Sequence, residues 1–531
     1  MLLFLFVSLC CFLPTDGYKI LVYSPSVSSS HLYSNARVAD VLAKDGHNVT
    51  LLQVDYPGAD YRVQTAKFAR VWPASFGWPR RSVAYDWAVF GAAMFSTQNV
   101  FADYWQWLEW QDEDLEACEH LLQSKELLDE IRAEKFDVFI GEQLDSCGSG
   151  LSRAVGIPVH VLLHSCPLMQ HSISFLGLPM PSSHVPTVEA PASIPGGRMS
   201  VGERATNLLY ATLEWAYYTY GVHRTTRLFR EHVDPEFPWI GSIVADSPLV
   251  LVAVDELVAM PRPTFHNVLY IGGLEGETAK SEQLGEFEAE MRKGAEGVIF
   301  VSFGSLAPTA FFPAQLVANL VDTFRNLPDF HFIFKVDKEE KARINGLREG
   351  KNGKFAEDPR SEHPRLKLFL THGGYNSLIE SARCGVPLVL IGFFGDQASN
   401  AAVVERNGWG LQVPKSELVA APTRVLETKI RRVLGDPAFK AAARRTQRLL
   451  ETKPFKAEER LTAYFRFLEA NGGRLPELQS TGRHLTAVEF YNLDLWLLAM
   501  LLVFFVPLVV VYGLLRASLL FRIQRTKLKA H

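Results

Sequence analysis

The sequence carries no marked excess of charge of either sign. Its 531 residues include 54 Lys and Arg against 58 Asp and Glu, which gives a formal net charge of −4. Domains that bind nucleic acid usually present a strongly basic surface, and this balance does not supply one. The chain also has no internal repeat and no low-complexity tract. We therefore expect a globular protein of two or three domains that does not bind nucleic acid.

Cysteine is scarce as well. Of the six cysteines, Cys10 and Cys11 fall in an apolar run at the N-terminus. The remaining four are too few and too scattered along the chain to predict a disulfide framework or a zinc site. They are Cys118, Cys147, Cys166 and Cys384.

Long apolar runs mark the two ends of the chain. Met1–Leu13 has the length of a signal-peptide core, and residues 1–17 are predicted to be a signal peptide. The alternative is that this run is a first buried strand. Residues 495–515 contain no charge and are long enough, at about 1.5 Å per residue, to cross a bilayer core of about 30 Å. Trp496 and Tyr512 stand near the ends of that run, as interfacial aromatic residues do.

The tail that follows, residues 516–531, contains five basic residues and no acidic one. Since basic residues are retained on the cytoplasmic side, the tail is predicted to be cytoplasmic and the body luminal, as in a single-pass type I protein. The final "KLKAH" resembles the dilysine retrieval signal of endoplasmic reticulum membrane proteins, which predicts that location. "NVT" at Asn48 is a glycosylation sequon, but it opens a predicted strand, which disfavours its use.

Between the ends, two series of strands and helices alternate. The first opens with "YKILVYSP" and covers residues 18–271, and the second opens with "GVIFVSFGS" and covers residues 295–490. Residues 272–294 are rich in Gly and acidic residues and read as a linker with a short helix. Alternation of strand and helix predicts an α/β fold with parallel sheets. We expect two Rossmann-like domains that face a ligand cleft.

The stretch "LFLTHGGYNSLIESARCGVPLVL" places polar residues between a strand and a helix. Leu366–Leu370 reads as a buried strand, Asn376–Arg383 as a helix, and Leu388–Ile391 as the next strand. The His, Gly, Asn and Ser residues therefore lie where a strand ends and a helix begins. Free N–H groups and the helix dipole favour an anion there by about 0.3–2 kcal/mol. This turn is predicted to bind a phosphorylated ligand.

Taken together, these motifs resemble the UDP-glucuronosyltransferases, within the wider UDP-glycosyltransferases of the GT-B type. The resemblance covers nearly the whole chain and includes "FDVFIGEQLDSCG", "VSFGS", "THGGYNSLIESARCGVPLVL" and "GFFGDQASNAA". The "GEQLDSCG" segment is more similar to nematode members. The resemblance implies inverting transfer of glucuronate, or glucose, from a UDP-sugar to a hydroxyl of a small lipophilic acceptor. It implies no metal or other cofactor, and no Asp-x-Asp motif accompanies the donor residues.

The resemblance also assigns roles to particular residues. His31 is the expected general base, and Glu142 stands where the family has the Asp that orients that base. Glu380 is expected to bind the ribose, and Asp396 and Gln397 the hydroxyls of the sugar. The diphosphate is expected to contact Ser305, His372, Gly374, Asn376 and Ser377.

Tryptophan is concentrated in one segment, since six of the ten fall in Val71–Trp110. These side chains are expected to line an apolar acceptor pocket, to enter the membrane surface, or simply to pack in the core. The sequence leaves the three readings open.

One family feature is missing. Members carry a "W-x-P-Q-x-x-L-L" segment before the histidine turn, whose Trp stacks on uracil, and residues 348–362 contain no Trp, no Gln and no apolar run for its strand. Loss of one base stack weakens binding by about 1–3 kcal/mol. This gap supports an alternative: a catalytically impaired, membrane-bound homologue that binds lipophilic ligands or pairs with active transferases as a homo- or hetero-oligomer.

Overall fold

The computed structural model describes residues 17–56, 65–76, 94–95, 100–191, 194–274, 286–304, 307, 309–336, 354–355, 363–419 and 424–528. The predicted signal peptide, apart from Gly17, lies outside the described residues.

The first half of the chain builds a sheet of seven parallel strands in the order β3-β2-β1-β4-β5-β6-β7. Most of its strands are continuous apolar runs, which suit a parallel sheet covered by helices on both faces. The strands are β1 Lys19–Pro25, β2 Asn48–Val54, β3 Arg70–Ala74, β4 Val138–Glu142, β5 Val159–His164, β6 Val250–Val252 and β7 Val268–Tyr270. The helices are α1 Ser29–Lys44, α2 Val100–Gln123, α3 Lys125–Glu134, α4 Ser146–Ala154, α5 Gln170–Phe175, α6 Val201–His232 and α7 Ile240–Ala245.

The second half builds a sheet of six parallel strands in the order β10-β9-β8-β11-β12-β13. The strands are β8 Gly297–Ser302, β9 Phe330–Phe334, β10 Lys354–Phe355, β11 Leu366–Thr371, β12 Leu388–Leu390 and β13 Gly410–Gln412. The helices are α8 Glu286–Met291, α9 Ala314–Arg325, α10 Tyr375–Arg383, α11 Gln397–Arg406, α12 Lys415–Val419, α13 Val425–Gly435 and α14 Pro437–Thr452. The predicted α/β class with two Rossmann-like sheets is confirmed.

Each sheet has one point where the strand order reverses direction: between β1 and β4 in the first sheet, and between β8 and β11 in the second. In open parallel sheets, ligands bind beyond the carboxyl ends of the strands at such a point. His31 follows β1 and Glu142 ends β4, while His372 directly follows β11. The topology therefore places the predicted base and the predicted phosphate turn at the two reversal points.

After the second sheet, the chain returns to the first. Helix α15 (Ala457–Ala470) buries Leu461, Phe465 and Leu468 in the same core as strand β1, although we predicted this segment within residues 295–490. Two ion pairs hold this returning segment against the first half of the chain: Lys453 Nζ lies 2.7 Å from Asp255, and Arg460 lies 2.8 Å from Glu256. The last segment of the chain thus joins the two halves.

A single long helix ends the chain. After the short helix α16 (Ala487–Phe490), α17 runs from Leu493 to Leu528 and includes the predicted span 495–515. Within Leu493–Thr526, the most apolar stretch of 18 residues has a mean hydropathy of 2.8 and is nowhere buried against the rest of the protein. This is the one helix of the described residues that is long and apolar enough to cross a membrane.

Two sequence expectations need correction. Cys118 and Cys147 form a disulfide, because helix α2 and the start of α4 bring their Cα atoms to 5.6 Å although they are 29 residues apart in sequence. The segment before His363 also keeps a strand, since Lys354–Phe355 pairs with β9 at the edge of the second sheet. That strand is only two residues long, and the remainder of residues 348–362 lies outside the described part of the chain.

Candidate active site

A cavity of about 470 Å³ lies between the carboxyl ends of the two sheets. Its walls come from both halves of the chain, with His31 and Cys166 on one side and His372, Glu380 and Asp396 on the other. Such a position is typical of small-molecule sites in α/β proteins. Most of the predicted site residues therefore meet in one cleft.

His31 lies in the first turn of helix α1. Ser28 is the N-cap of this helix, and its hydroxyl accepts a hydrogen bond of 3.3 Å from the His31 backbone N–H. The cap fixes the first turn and with it the direction of the imidazole. The side chain is 17% exposed and lines the cleft, so a ligand can reach it.

Glu142 is fully buried behind His31. Its Oε2 lies 3.3 Å from His31 Nδ1, and its Oε1 accepts a hydrogen bond of 3.1 Å from the backbone N–H of Gln143. Burial alone raises the pKa of this carboxyl group. The neighbouring imidazole and the hydrogen-bond donors outweigh burial, so the pKa of Glu142 lies below its ordinary value. The glutamate is thus an anion at neutral pH and reaches the imidazole despite its extra methylene.

A second layer of polar groups holds the carboxylate. The hydroxyl of Ser165 donates to Glu142 and lies 3.1 Å from Asn35 Oδ1. The Asn35 amide in turn donates to the Ser24 hydroxyl at 3.0 Å, and Asn35 and Ser24 are both fully buried. Because buried polar groups of this kind are costly to leave unpaired, the chain of contacts fixes the rotamer of the carboxylate.

On the opposite wall, the ring of His372 is held by two glycines. A Cβ atom at Gly374 would lie 2.5 Å from His372 Nε2, and a Cβ atom at Gly304 would lie 2.6 Å from His372 Cε1. Burial, assisted by the positive charge of Lys335, lowers the pKa of His372 to about 4. His372 is therefore neutral at neutral pH, and its ring can offer a ligand a hydrogen bond but no charge.

Helix α10 begins directly after this turn, with Gly374 as its N-cap. Asn376 and Ser377 lie in its first turn and Glu380 one turn later, and all three line the cleft. The hydroxyl of Tyr375 accepts a hydrogen bond from the backbone N–H of Asp255 in the first half of the chain. The helix terminus that faces the cleft is thereby fixed to both halves.

Asp396 and Gln397 begin helix α11 and also line the cleft. Burial raises the pKa of Asp396, and a hydrogen bond of 2.8 Å from the Asn400 amide opposes that shift. The same amide donates to the Gly373 carbonyl at 3.0 Å, which ties α11 to the histidine turn. The Gln397 Oε1 accepts a 2.8 Å hydrogen bond from the backbone N–H of Phe393, which orients its amide group.

The two walls are within electrostatic reach of each other. Burial raises the pKa of both Asp396 and the Cys166 thiol; a positive charge on His31 opposes the shift of Asp396, and the Asp396 carboxylate adds to the shift of Cys166. These interactions act over short distances in a partly buried site. The predicted base and the predicted sugar-binding carboxylate therefore face the same small volume.

Lys335 is a cleft residue that was not predicted from the sequence. Lys335 directly follows β9 and lines the cleft beside Gly304 and His372. A cationic residue at the carboxyl end of a predicted strand was the signal available for it. Ser305 lies outside the described residues, so its predicted contact with the diphosphate remains a prediction.

The wall on the side of the first sheet mixes aromatic and apolar side chains with polar and charged ones. Val27, Trp110, Met169, Tyr217 and Tyr218 line it, together with charged Arg37, Asp114 and Glu189. The tryptophans of Val71–Trp110 do not share one role among the three predicted alternatives of acceptor pocket, membrane surface and core packing. Trp110 lines the cleft, Trp72 packs against the core and Trp105 is 70% exposed, while Trp78 and Trp87 lie outside the description.

Comparison with known proteins accounts for this geometry. The family model described as UDP-glucoronosyl and UDP-glucosyl transferase matches residues 18–526. The chain belongs to this family. It is accordingly a glycosyltransferase, an enzyme that transfers a sugar from a UDP-sugar.

Relatives of this UDP-glycosyltransferase include nematode and human proteins. The protein ugt-47 of Caenorhabditis elegans, named as a UDP-glucuronosyltransferase, is 33% identical over 90% of this chain and 89% of its own length. Human UDP-glucuronosyltransferase 3A2 is 26% identical over 86% of both chains. The predicted resemblance to nematode members is confirmed.

Solved structures confirm the GT-B fold of this UDP-glycosyltransferase. The glycotransferase of kitacinnamycin has a TM-score of 0.57 at 19% identity and covers 86% of this chain and 99% of its own. Os79 from O. sativa, solved with U2F and trichothecene, has a TM-score of 0.56 at 16% identity and covers 84% and 99%. At these identities the likeness concerns the fold alone.

The glycine contacts generate the first prediction. Gly374→Ala should weaken UDP binding, because the added methyl group displaces the His372 ring, and the overpacking itself should lower the free energy of unfolding by about 1–3 kcal/mol. Titration calorimetry with UDP measures the change in affinity. Gly435→Ala is the matched control, since a Cβ atom there meets open space. Unchanged UDP affinity in Gly374→Ala would show that the position of the His372 ring is not needed for the donor.

Proposed function

We propose that this enzyme transfers glucuronate, or glucose, from a UDP-sugar to a hydroxyl of a small lipophilic acceptor with inversion at the anomeric carbon. The observation that carries the proposal is the His31–Glu142 pair, whose imidazole lines the same cavity as Asp396. A base on one wall and a sugar-binding carboxylate on the other suit a single displacement. The names of the relatives support glucuronate as the donor sugar.

His31 acts as the general base. The acceptor hydroxyl gives its proton to the imidazole as its oxygen attacks the anomeric carbon, and the bond from that carbon to the UDP oxygen breaks on the opposite face. Glu142 on Nδ1 fixes the tautomer that leaves Nε2 unprotonated, and it stabilises the imidazolium once formed. The mixed aromatic and apolar wall around Trp110 and Tyr217 supports a lipophilic acceptor.

The second half of the cleft binds the donor. The amides at the start of α10 and the side chains of His372, Asn376 and Ser377 contact the diphosphate, with Ser305 added by the resemblance. The ammonium of Lys335 offsets the charge that develops on the leaving UDP, which a neutral His372 cannot do. Glu380 accepts hydrogen bonds from the ribose, and the side chains of Asp396 and Gln397 bind the sugar. Charge compensation in this scheme needs no metal.

The proposed location is the endoplasmic reticulum membrane, with α17 as anchor, the body in the lumen and the tail in the cytoplasm. The basic tail supports this orientation. The disulfide between Cys118 and Cys147 supports it independently, since disulfides persist in oxidising compartments such as the lumen. Protection of the body from protease in sealed microsomes tests the orientation.

The general-base role generates the second prediction. His31→Ala should lower the turnover number by about 10²- to 10⁴-fold, the usual contribution of a positioned base. The affinity for the UDP-sugar should stay within a factor of about two, because the residues proposed to bind the donor lie on the other wall and the substitution removes none of their hydrogen bonds. Steady-state kinetics and donor titration measure the two quantities.

His120→Ala is the control for that experiment, since His120 lies on helix α2 outside the cleft. Turnover in His31→Ala within about tenfold of wild type would remove His31 as the base. A parallel loss of donor affinity would assign it a structural role instead.

The alternative of an impaired homologue is favoured by one observation, the absence of a uracil-stacking Trp in residues 348–362. It generates the third prediction. Without a stack worth about 1–3 kcal/mol, ADP and UDP should compete for the site within about tenfold of each other. Insertion of a family-type "W-x-P-Q-x-x-L-L" segment before His363 should restore preference for UDP.

Competition binding on the two chains measures this preference. Strong uridine selectivity in the unmodified chain would show that another side chain stacks on the base. Absence of nucleotide binding in a folded protein would favour the impaired homologue over the active transferase.

A further inference from the structure

A second cavity, of about 890 Å³, lies away from the cleft and is lined by basic side chains. Arg198 and Arg204 flank the start of helix α6, Arg406 ends helix α11, and His184 completes the rim. No Asp or Glu is among the described residues that line it. Three arginines around one open cavity create a positive potential that attracts phosphate groups.

The acidic residues adjacent to these arginines in sequence direct their carboxylates to backbone groups rather than to the arginines. The Glu203 carboxylate accepts a hydrogen bond of 2.6 Å from the Ser200 backbone as part of a capping box. The Glu405 carboxylate accepts one of 2.8 Å from the Gln412 backbone. Across the described ranges, Arg198, Arg204 and Arg406 form no ion pair, and all three side chains are exposed. Their charge is therefore available to a partner.

Exposed apolar side chains begin at the cavity with Val201 and continue along helices α6 and α2. The beginning of α6 exposes three of them, and the beginning of α2 exposes two more. The two helices lie side by side, since the Tyr104 hydroxyl donates to the Tyr210 carbonyl at 3.2 Å. Exposed apolar side chains close to arginines are typical of helices that lie in the interface of a membrane. The five are Val201 (74% exposed), Leu208 (50%), Leu209 (42%), Phe101 (67%) and Trp105 (70%).

This face adjoins the base of the proposed anchor. The segment just before α17 packs beside this region: a Cβ atom at Gly177 would lie 2.4 Å from the backbone nitrogen of Arg483. The Met180 backbone is close enough to Tyr491, two residues before α17, to lower its pKa against the larger effect of burial. Three residues of chain span at most about 10 Å, so Ser183 on the cavity rim lies close to that point. The Asn207 amide of α6 donates to the Ser182 carbonyl at 2.7 Å, which brings the exposed leucines to the same place.

We propose that this basic and apolar face, the membrane-facing surface, docks on the anionic phospholipid headgroups of the leaflet that the anchor enters. The arginines bind lipid phosphates, and the apolar side chains enter the boundary between headgroups and acyl chains. The surface continues directly from the anchor, so one bilayer contacts both. Since α11 carries Gln397 in the cleft at one end and Arg406 on this surface at the other, docking holds the donor wall at a fixed height above the membrane.

Hydrogen exchange of the full chain in nanodiscs tests the proposal, which also requires α17 to be the anchor. Peptides covering residues 194–205 should exchange more slowly in nanodiscs that contain phosphatidylserine than in pure phosphatidylcholine. Each arginine near an anionic surface changes the ratio of docked to undocked protein about fivefold. The difference in exchange rate between the two lipids should therefore vanish in Arg198→Gln/Arg204→Gln. It should also shrink at high salt, because exposed charges are screened.

Arg432→Gln/Arg448→Gln is the matched control, because it removes the same charge from exposed positions on α13 and α14. It should keep the difference between the two lipids. Equal exchange in both nanodiscs, or a full difference in Arg198→Gln/Arg204→Gln, would overturn the proposal. Equal protection by inorganic phosphate in phosphatidylcholine nanodiscs would also overturn it, by assigning the cavity to a free anion. Failure of the chain to stay in nanodiscs would contradict the anchor separately.

Discussion

The buried carboxylate of Glu142 is the constraint on which the site depends. A fully buried anion is tolerated only when partners compensate the lost hydration, and here His31, the Ser165 hydroxyl and the Gln143 backbone supply them. Those partners in turn fix helix α1, because Asn35 of the same helix joins the network through Ser165. The interaction that orients the base therefore also positions the first helix on the sheet.

In the second half of the chain, close steric contacts rather than a buried charge fix the position of the site residues. Two glycines let the backbone approach the His372 ring, and Asn400 ties α11 to the turn through the Gly373 carbonyl. Arg460 and Lys453 then hold the returning chain against the first half. His31 and the turn at His372 lie close together for two reasons. Each lies where the strand order of its sheet reverses, and the segment that contains Lys453 and Arg460 joins the two halves of the chain.

Much of this could be predicted from the sequence. Strong local patterns gave the strands on either side of His372, the helix that begins after it and the apolar terminal helix, since each is encoded within a few residues. The pairing of His31 with Glu142 could be expected only through the family resemblance, because 111 residues separate them. Lys335 was missed since a single Lys after a strand has many ordinary explanations. The disulfide was missed because spacing along the chain does not report distance in the fold.

A double-mutant cycle on His31 and Glu142 tests the central claim most directly. If Glu142 acts through the imidazole, Glu142→Gln alone should lower kcat/KM by about 10²- to 10⁴-fold. Adding it to His31→Ala should then cost little more, because residues that act as one unit are strongly non-additive. UDP affinity should be unchanged in all three variants, which shows that they remain folded. Losses in kcat/KM that multiply in the double variant would contradict the account, because they would show that the two residues act independently.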